Sequence, residues 1–267
     1  MNEPARSNPA IPALLAMLHR EWTRFVRQPS RLIASVLTPL MMWVLVSSGL
    51  SGGMSMLTGS GAGASSASGV NYAAYSLPGM ATLTVVFSAI FGAISLIEDR
   101  HSGFLQGVLV APAPAWSWVG AKLLGGSLLA TAQASILLPL VLIHSSGVTP
   151  LGFLLAIGGM FLIATFVGAL ALALAWRVDS VQGFHGVMNT LLMPMWLLSG
   201  GLFPLSTSSG WLRTLMLANP LTWGTAVVRG GLGAAADVPG GMPGAFAIAL
   251  GVALAASIVA LLSMSRR

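Results

Sequence analysis

Cysteine is absent from this chain of 267 residues, and charged residues make up only 7% of it. Without cysteine the protein has no disulfide, thiolate metal ligand or cysteine nucleophile, and its redox compartment is left open. An average soluble domain has about 25% charged residues, whereas 55% of the residues here are hydrophobic and the mean hydropathy is +0.87. The composition excludes an ordinary soluble domain and predicts an integral membrane protein.

The chain contains several long apolar runs. Six of them approach the roughly 20 residues that a helix needs to cross hydrocarbon. They cover residues 32–50, 77–97, 120–143, 151–176, 181–203 and 242–264. The sequence therefore predicts an all-α integral membrane protein with six transmembrane helices, forming one membrane domain over residues 1–267, with both termini on the same side.

Basic residues mark which side that is. Most of the twelve lysines and arginines fall on the termini and on the connections that share their side: Arg6, Arg20, Arg24, Arg27, Arg31, Arg100, Lys122, Arg177, Arg266 and Arg267. Arg213 and Arg229 fall on the other side. The positive-inside rule then predicts a multi-pass protein of the cell inner membrane with cytoplasmic termini. The formal charge of +6 is a topology signal, so we expect no nucleic-acid partner.

Residues 11–31 are amphipathic, unlike the apolar runs. One face of a helix there would carry apolar side chains, namely Leu14, Leu18, Trp22 and Phe25. Another face would carry arginines at steps of four, three and four, namely Arg20, Arg24, Arg27 and Arg31. We interpret this segment as an interfacial helix whose arginines face anionic membrane lipid or a partner; the alternative is a lead-in without a partner, whose arginines snorkel to the headgroups.

Two outer connections have distinct compositions. Residues 51–69 are rich in Gly and Ser and predict a flexible linker. Residues 204–241 contain apolar patches too short to span, broken at Asn219-Pro220 and by glycines. We interpret the second connection as an outer re-entrant region of two short helices, which is tolerable only if they pack against protein.

Catalytic and ion-coupling residues are missing from the predicted spans. All acidic residues lie in termini or loops: Glu3, Glu21, Glu98, Asp99, Asp179 and Asp237. Proton or sodium coupling is therefore disfavoured, and no Ser/His pair, aspartate pair or HExxH motif supports an intramembrane enzyme. His185 with Asn189, and Gln133, favour hydrogen bonds between helices over substrate contacts.

Lysine occurs once, at Lys122. A Walker A loop needs glycines at fixed spacing before its lysine and Ser or Thr after it, and the sequence GAKLL has neither. We therefore expect no ATP, cofactor or metal site in this chain, so that any energy source has to be a partner.

Two stretches resemble a known family. ISLIEDRHSGFLQGVLVAPAPAWSWVGAKLL resembles the first cytoplasmic loop of ABC type-2 permeases, the membrane components of drug and polysaccharide exporters, with matches at Glu98, Arg100, Gly103, Leu105, Val108, Leu109, Pro112 and Lys122. MPMWLLSGGLFPLSTSSGWLRTLMLANPLTW is similar to the family's fifth span and outer region, with matches at Leu198, Ser199, Gly200, Phe203, Pro204, Leu205, Trp211, Leu212, Asn219, Pro220 and Leu221. In layout the resemblance covers residues 11–265. Gln106 replaces an acidic residue of the family pattern, and Pro114 adds a second proline.

The resemblance implies a role for the 98–119 segment. In such exporters a separate ATPase subunit, which binds ATP and Mg, docks on this coupling loop and its short cytoplasmic coupling helix. The coupling residues would be Glu98, Arg100, Gly103, Phe104, Leu105, Val108, Leu109 and Pro112. The outer gate would comprise Phe203, Pro204, Trp211, Asn219 and Pro220.

The hypothesis that follows is a homodimeric permease subunit of an ABC exporter, moving an amphipathic or lipid-like substrate outward. The alternative is a membrane assembly factor or scaffold that transports nothing, and an intramembrane enzyme ranks third.

Overall fold

The computed structural model describes residues 10–57, 72–144, 147–206, 208–233 and 238–265. Within these ranges the secondary structure is helical. The α-helices are α1 Ala10–Val26, α2 Pro29–Leu57, α3 Tyr72–His101, α4 Phe104–Val110, α5 Ala115–Ser135, α6 Leu138–His144, α7 Pro150–Ala175, α8 Val181–Trp196, α9 Gly210–Ala218, α10 Pro220–Gly231 and α11 Gly241–Ser265. A π-helical turn, Leu197–Gly201, continues α8.

Five segments of the described chain are long and apolar enough to cross a membrane. They are Pro29–Ser48, Tyr75–His101, Ala115–Ile143, Pro150–Ala175 and Gly241–Ser265. The remaining predicted run, 181–203, consists of the 16-residue α8 and the π-helical turn, where Gly200 has a φ of 79°. Its crossing of the membrane, and with it the count of six spans, stays a prediction.

The core is organised around α3. Within its apolar stretch 83% of the residues are buried, against 22% in α11 and 11% in α2. Helices α2, α5 and α7 pack directly on α3, while α10 and α11 pack mainly on α7, and α10 also contacts α3. Helix α3 is therefore the central post of the bundle, and the outward surfaces of α2 and α11 are exposed apolar faces suited to lipid.

Glycines permit the closest crossings. A Cβ at Gly79 of α3 would overlap the carbonyl oxygen of Gly201, and one at Gly152 of α7 would overlap that of Gly231 in α10. At these points backbone packs directly on backbone, which small residues allow in membrane bundles. The π-helical turn is thereby fixed against α3, and α10 is fixed against α7.

Local sequence explains where the helices begin. Thr149 and Ser180 are the N-caps of α7 and α8, and their hydroxyls accept hydrogen bonds of 3.0 Å from the backbone amides of Gly152 and Gly183. Proline occupies the first position of α2, α7 and α10, where its missing N–H costs nothing.

Several boundaries differ from the predicted ones. The predicted helix over 11–31 is interrupted after Val26, because Pro29 starts α2, and Arg31 therefore belongs to α2. Helix α2 continues to Leu57, so it includes the start of the predicted 51–69 linker, whose residues from 58 onward lie outside the described residues. Two short helices, α9 and α10, occupy most of the 204–241 region, as its composition indicates.

The 98–119 segment is more helical than predicted. Helix α3 extends through His101 and α5 starts at Ala115, which leaves α4 and two short turns between them. The third predicted run also has a break, since Ile136 and Leu137 donate to carbonyls three residues back, just before Pro139. A proline there disfavours regular helix in the residue that precedes it.

Candidate functional site

Seven charged side chains meet where α1, the start of α2, the end of α3 and the start of α5 come together. They are Arg20, Glu21, Arg24, Arg31, Glu98, Asp99 and Lys122. We call this group the ion cluster. It contains four cations and three carboxylates, which leaves one positive charge in excess.

Asp99 is the centre of the cluster, with only 1% of its side chain exposed. Its Oδ1 accepts from Arg20 Nη2 at 2.6 Å and from Arg24 Nη1 at 2.8 Å, and its Oδ2 accepts from Lys122 Nζ at 2.7 Å. Burial alone would lower the pKa of Arg20, but Asp99 and Glu21 outweigh it and raise that pKa above its ordinary value. Arg20 is therefore firmly cationic.

Glu98 lies on the more open side of the cluster. Its two carboxylate oxygens accept from Arg24 Nη2 and Arg31 Nη2, so that α1, α2 and α3 are joined through one side chain. These three groups are between 24% and 30% exposed. This is the accessible edge of the ion cluster.

Lys122 and Glu21 close the buried side. Lys122 Nζ donates to Glu21 Oε1 at 2.9 Å and to Ser95 Oγ at 3.1 Å, besides its bond to Asp99. Only 2% of the Lys122 side chain is exposed. A buried ammonium needs this full set of acceptors, so the first turns of α5 are fixed to α1 and α3.

Helix α4 is mounted on this cluster. Gly103, at φ 74°, turns the chain sharply after α3 in a conformation that suits glycine, and α4 begins at Phe104. The guanidinium carbon of Arg20 lies 3.8 Å from the centre of the Phe104 ring, so the side chain that binds Asp99 also stacks on α4. Leu105 is buried against the bundle. The N-terminal end of the short helix is thus tied to the bundle.

The other side of α4 is open. Leu109 is 49% and Val110 84% exposed, and Gln106, Gly107 and Pro112 are exposed as well. These residues form a small apolar face at the cytoplasmic end predicted from the basic residues. We call it the α4 face.

Arg100 connects α3 to a different neighbour. Its guanidinium donates to the carbonyl oxygens of Trp176 at 2.6 Å and Ala175 at 3.3 Å, and to Asp179 Oδ1 at 2.7 Å. Carbonyls at the end of a helix have no partner within that helix. Arg100 therefore caps α7 and holds the α7–α8 turn beside the ion cluster.

Most of the chain matches a known protein family. The family model described as ABC-2 type transporter matches residues 12–232, from α1 to the end of the outer helices. The chain belongs to the ABC-2 type transporter family. It is thus an ABC transporter permease subunit, a multi-pass membrane component, and the ion cluster lies within the matched part of this permease.

Two proteins with related sequences are also permeases by their names. The permease is 26% identical over 232 residues to the daunorubicin resistance ABC transporter permease protein DrrB1 of Streptomyces coeruleorubidus, which covers 85% of this chain and 76% of the relative. It is also 26% identical over 229 residues to the putative transport permease ycf38 of Cyanophora paradoxa, covering 82% and 73%.

The arginines of the stripe have partners within the chain. Three of the four, Arg20, Arg24 and Arg31, bind carboxylates of this chain, because Glu98 and Asp99 lie beside them as fixed acceptors. That the stripe also faces anionic membrane lipid or a partner stays a prediction. Arg27 alone is exposed, and its side chain has no hydrogen-bond partner within the described residues.

The outer-gate residues are distributed over two surfaces. Asn219 is buried and caps α10, where its Oδ1 accepts from the Leu221 amide at 3.1 Å and its Nδ2 donates to the Met195 carbonyl. Pro220 follows as the first residue of α10. Phe203 and Trp211 are 53% and 70% exposed, and Pro204 lies between α8 and α9. Their role as a gate stays a prediction.

The polar residues expected between helices behave differently from one another. Gln133 Nε2 donates to Ser35 Oγ at 2.6 Å, which is the predicted kind of bond and joins α5 to α2. His185 packs against Phe91, with ring centres 5.8 Å apart. Asn189 is exposed, and within the described residues it has no side-chain hydrogen bond.

Four functional residues were not assigned a place in the site from the sequence. Glu21, Asp99 and Lys122 complete the ion cluster, and Arg229 forms a separate outer contact, donating to the Tyr75 hydroxyl at 2.7 Å. The predicted topology already put the first three at the cytoplasmic ends of their segments. Matching opposite charges at one membrane level was the signal that could have paired them.

Proposed function

We propose that this permease is the membrane subunit of an ATP-driven exporter and moves an amphipathic or lipid-like substrate outward across the cell inner membrane. A separate ATPase subunit, which carries ATP and Mg, docks on the 98–119 loop. The termini are cytoplasmic and the active unit is a homodimer. The relative named for daunorubicin resistance supports an amphipathic drug-like substrate.

The observation that carries this proposal is the mounting of α4. Its exposed face has apolar side chains suited to a groove on another protein, while Phe104 and Leu105 fix its other side to the bundle. Arg20 connects Phe104 to Asp99, and Asp99 connects to α5 through Lys122. A displacement of α4 is therefore passed to three helices as a rigid-body motion.

Docking and coupling can be separated by mutation. Leu109→Glu places a charge on the α4 face and is expected to abolish co-purification of the ATPase subunit. Leu215→Glu is a matched control, because Leu215 on α9 is equally 49% exposed but lies on the outer region. Phe104→Ala should retain the ATPase and lose coupling, so that substrate no longer stimulates ATP hydrolysis in proteoliposomes.

Two kinds of result would contradict this proposal. Normal ATPase retention in Leu109→Glu, or equal loss in Leu215→Glu, would show that the α4 face is not the docking surface. A protein that purifies without any ATPase and shows no substrate-stimulated hydrolysis would support the scaffold function instead.

The homodimer is supported by α8. Gln182 and Asn189, seven residues apart, are exposed on one face, together with Gly186. A bare amide in hydrocarbon costs several kcal/mol, so this face requires protein or water rather than lipid tails. A second copy of the same helix across a twofold axis supplies that environment.

The absence of cysteine makes this testable by single substitutions. Asn189→Cys should form an intermolecular disulfide under mild oxidation in native membranes, because a twofold axis near α8 brings the two copies of residue 189 together. Ile258→Cys on the exposed side of α11 is the control and should stay monomeric. Cross-linking through residue 258 and not through residue 189 would place the interface elsewhere.

A further inference from the structure

A cleft opens beside the ion cluster, between α1, α2, α3 and α5. It contains about 410 Å³ of free space, part of it open to the surroundings. Its polar wall includes the carboxylate of Glu21 besides Arg24, Gln28, Arg31 and Lys122, and its apolar wall includes Phe91 and Leu129. The two walls are arranged along the membrane normal. Phe91 is seven residues before Glu98, and Leu129 is seven residues after Lys122, so the apolar part extends about 10 Å from the cluster towards the membrane interior.

Gly126 forms part of the floor. A Cβ built there would meet nothing within 4 Å, whereas one at Gly92, on the facing helix, would lie 3.7 Å from the Gly126 Cα. The space directly over the Gly126 Cα is therefore open.

The charge of the cleft is not balanced by the protein. The ion cluster has four cations and three carboxylates, and the members at its accessible edge are Arg24, Arg31 and Glu98, which are 24%, 26% and 30% exposed. The Arg31 guanidinium donates one hydrogen bond, to Glu98, and its other N–H groups have no partner among the residues that the structure describes. One monovalent anion at this edge would neutralise the excess.

We propose that this cleft binds an anionic phospholipid of the inner leaflet, with its phosphate at Arg24 and Arg31 and one acyl chain over Gly126 towards Phe91 and Leu129. A phosphodiester with one negative charge complements the excess positive charge, and basic pockets between helices on the cytoplasmic side are suited to such headgroups. Arg27, exposed at the adjacent turn, adds attraction to the same leaflet. The bound lipid would join α1 and α2 to the spans. This lipid-binding proposal does not depend on the transport proposal.

The test uses the full chain in a non-ionic detergent, without an ATPase. Phosphatidylglycerol and phosphatidylcholine with identical acyl chains are titrated, and bound lipids are counted by native mass spectrometry. One phosphatidylglycerol per chain is expected to bind about tenfold more tightly than phosphatidylcholine, which is what one unit charge near a partly exposed cation supplies.

Two variants distinguish the cleft from general surface charge. Gln28→Glu adds a negative charge at the polar wall without removing an ion pair, and should remove most of the preference for phosphatidylglycerol. Gly126→Leu fills the floor and leaves every charge in place, and should remove tight binding of that lipid. Gln106→Glu on α4 and Gly251→Leu, whose Cβ would also meet nothing within 4 Å, are the matched controls and should behave as the wild type.

Three results would overturn the proposal. Equal binding of the two lipids by the wild type would show that the charge excess selects no headgroup. An undiminished preference in both cleft variants would assign it to the surface in general. Complete competition by glycerol 3-phosphate at the same concentration as the lipid would indicate a site for phosphate alone, with no acyl-chain groove. None of these results bears on ATPase docking, which is measured separately.

Discussion

Removing Asp99 should destabilise the permease more than removing Lys122, although the two side chains share a hydrogen bond of 2.7 Å. Asp99→Asn preserves the shape of the side chain but leaves four cations facing two carboxylates. Lys122→Met preserves most of the apolar stem and leaves three cations facing three carboxylates. The difference between the variants is therefore one of charge balance.

The magnitudes follow from the partners that each variant leaves behind. Breaking a buried ion pair so that a charge is undercompensated costs about 3–5 kcal/mol. In Asp99→Asn, Lys122, which is 2% exposed, and Arg20 are left to share the single carboxylate of Glu21. In Lys122→Met, Asp99 keeps Arg20 and Arg24. The loss is then that of charge-assisted hydrogen bonds, about 1.5–3 kcal/mol. The double variant should cost less than the sum, by about 0.5–3 kcal/mol, since the two residues are in contact.

Unfolding in mixed micelles, followed by the fluorescence of the eight tryptophans, would measure these differences. Arg213→Gln is the control, because Arg213 is exposed on α9 and should change stability by no more than about 0.5 kcal/mol. If Lys122→Met destabilises the protein as much as Asp99→Asn does, or if the two effects simply add, charge balance does not govern the cluster and the reasoning fails.

Three further predictions concern other contacts. Gly79→Ala should destabilise the permease by about 1–3 kcal/mol, since the new Cβ overlaps the Gly201 carbonyl. Gly244→Ala is the control and should be nearly neutral, because the space around Gly244 is open. Equal stability of the two variants in the same micelle assay would contradict the close crossing. Asn219→Ala should cost about 1 kcal/mol through loss of the α10 cap, and faster hydrogen exchange in the first turn of α10 would report it, while unchanged exchange would show that the cap is dispensable. Arg100→Ala should lower the free energy of unfolding by about 1.5–3 kcal/mol, because the carbonyls at the end of α7 lose their donor. Asp179→Ala should lower it by under about 1 kcal/mol, since that carboxylate is 88% exposed. The reverse order would show that the ion pair, and not the cap, stabilises this contact.

Hydropathy was sufficient to find the long helices, because each is apolar over its whole length, whether it packs against other helices or faces lipid. Five of the predicted runs correspond to long apolar helical segments, with ends shifted by a few residues. The run 181–203 was harder, since Pro194 and the glycines at 200 and 201 interrupt regular helix. Family motifs anticipated the glycine turn, the short helix α4 and the two outer helices, which are local features.

The ion cluster could not be read from local patterns. Arg20 and Asp99 are 79 residues apart, and Lys122 is 101 residues from Glu21. Each basic residue alone is explained equally well as a topology signal. Only the packing of α1 against α2, α3 and α5 shows that Arg20, Arg24, Arg31 and Lys122 are partners of acidic residues. The same holds for Asn189, whose exposure becomes evident only once α8 is placed against α3.

The order of synthesis has a consequence for α1. Its arginines leave the ribosome well before their acceptors, and the bond between Glu21 and Lys122 spans 101 residues. At ordinary translation rates this separation corresponds to roughly 5–20 s. For the first 74–79 residues of that interval Arg20 and Arg24 lack their acceptors Asp99 and Glu98. We expect the anionic membrane surface to attract the basic segment until then. In a nascent permease α1 therefore lies at the membrane surface at first, and it packs against the bundle once α5 has been inserted.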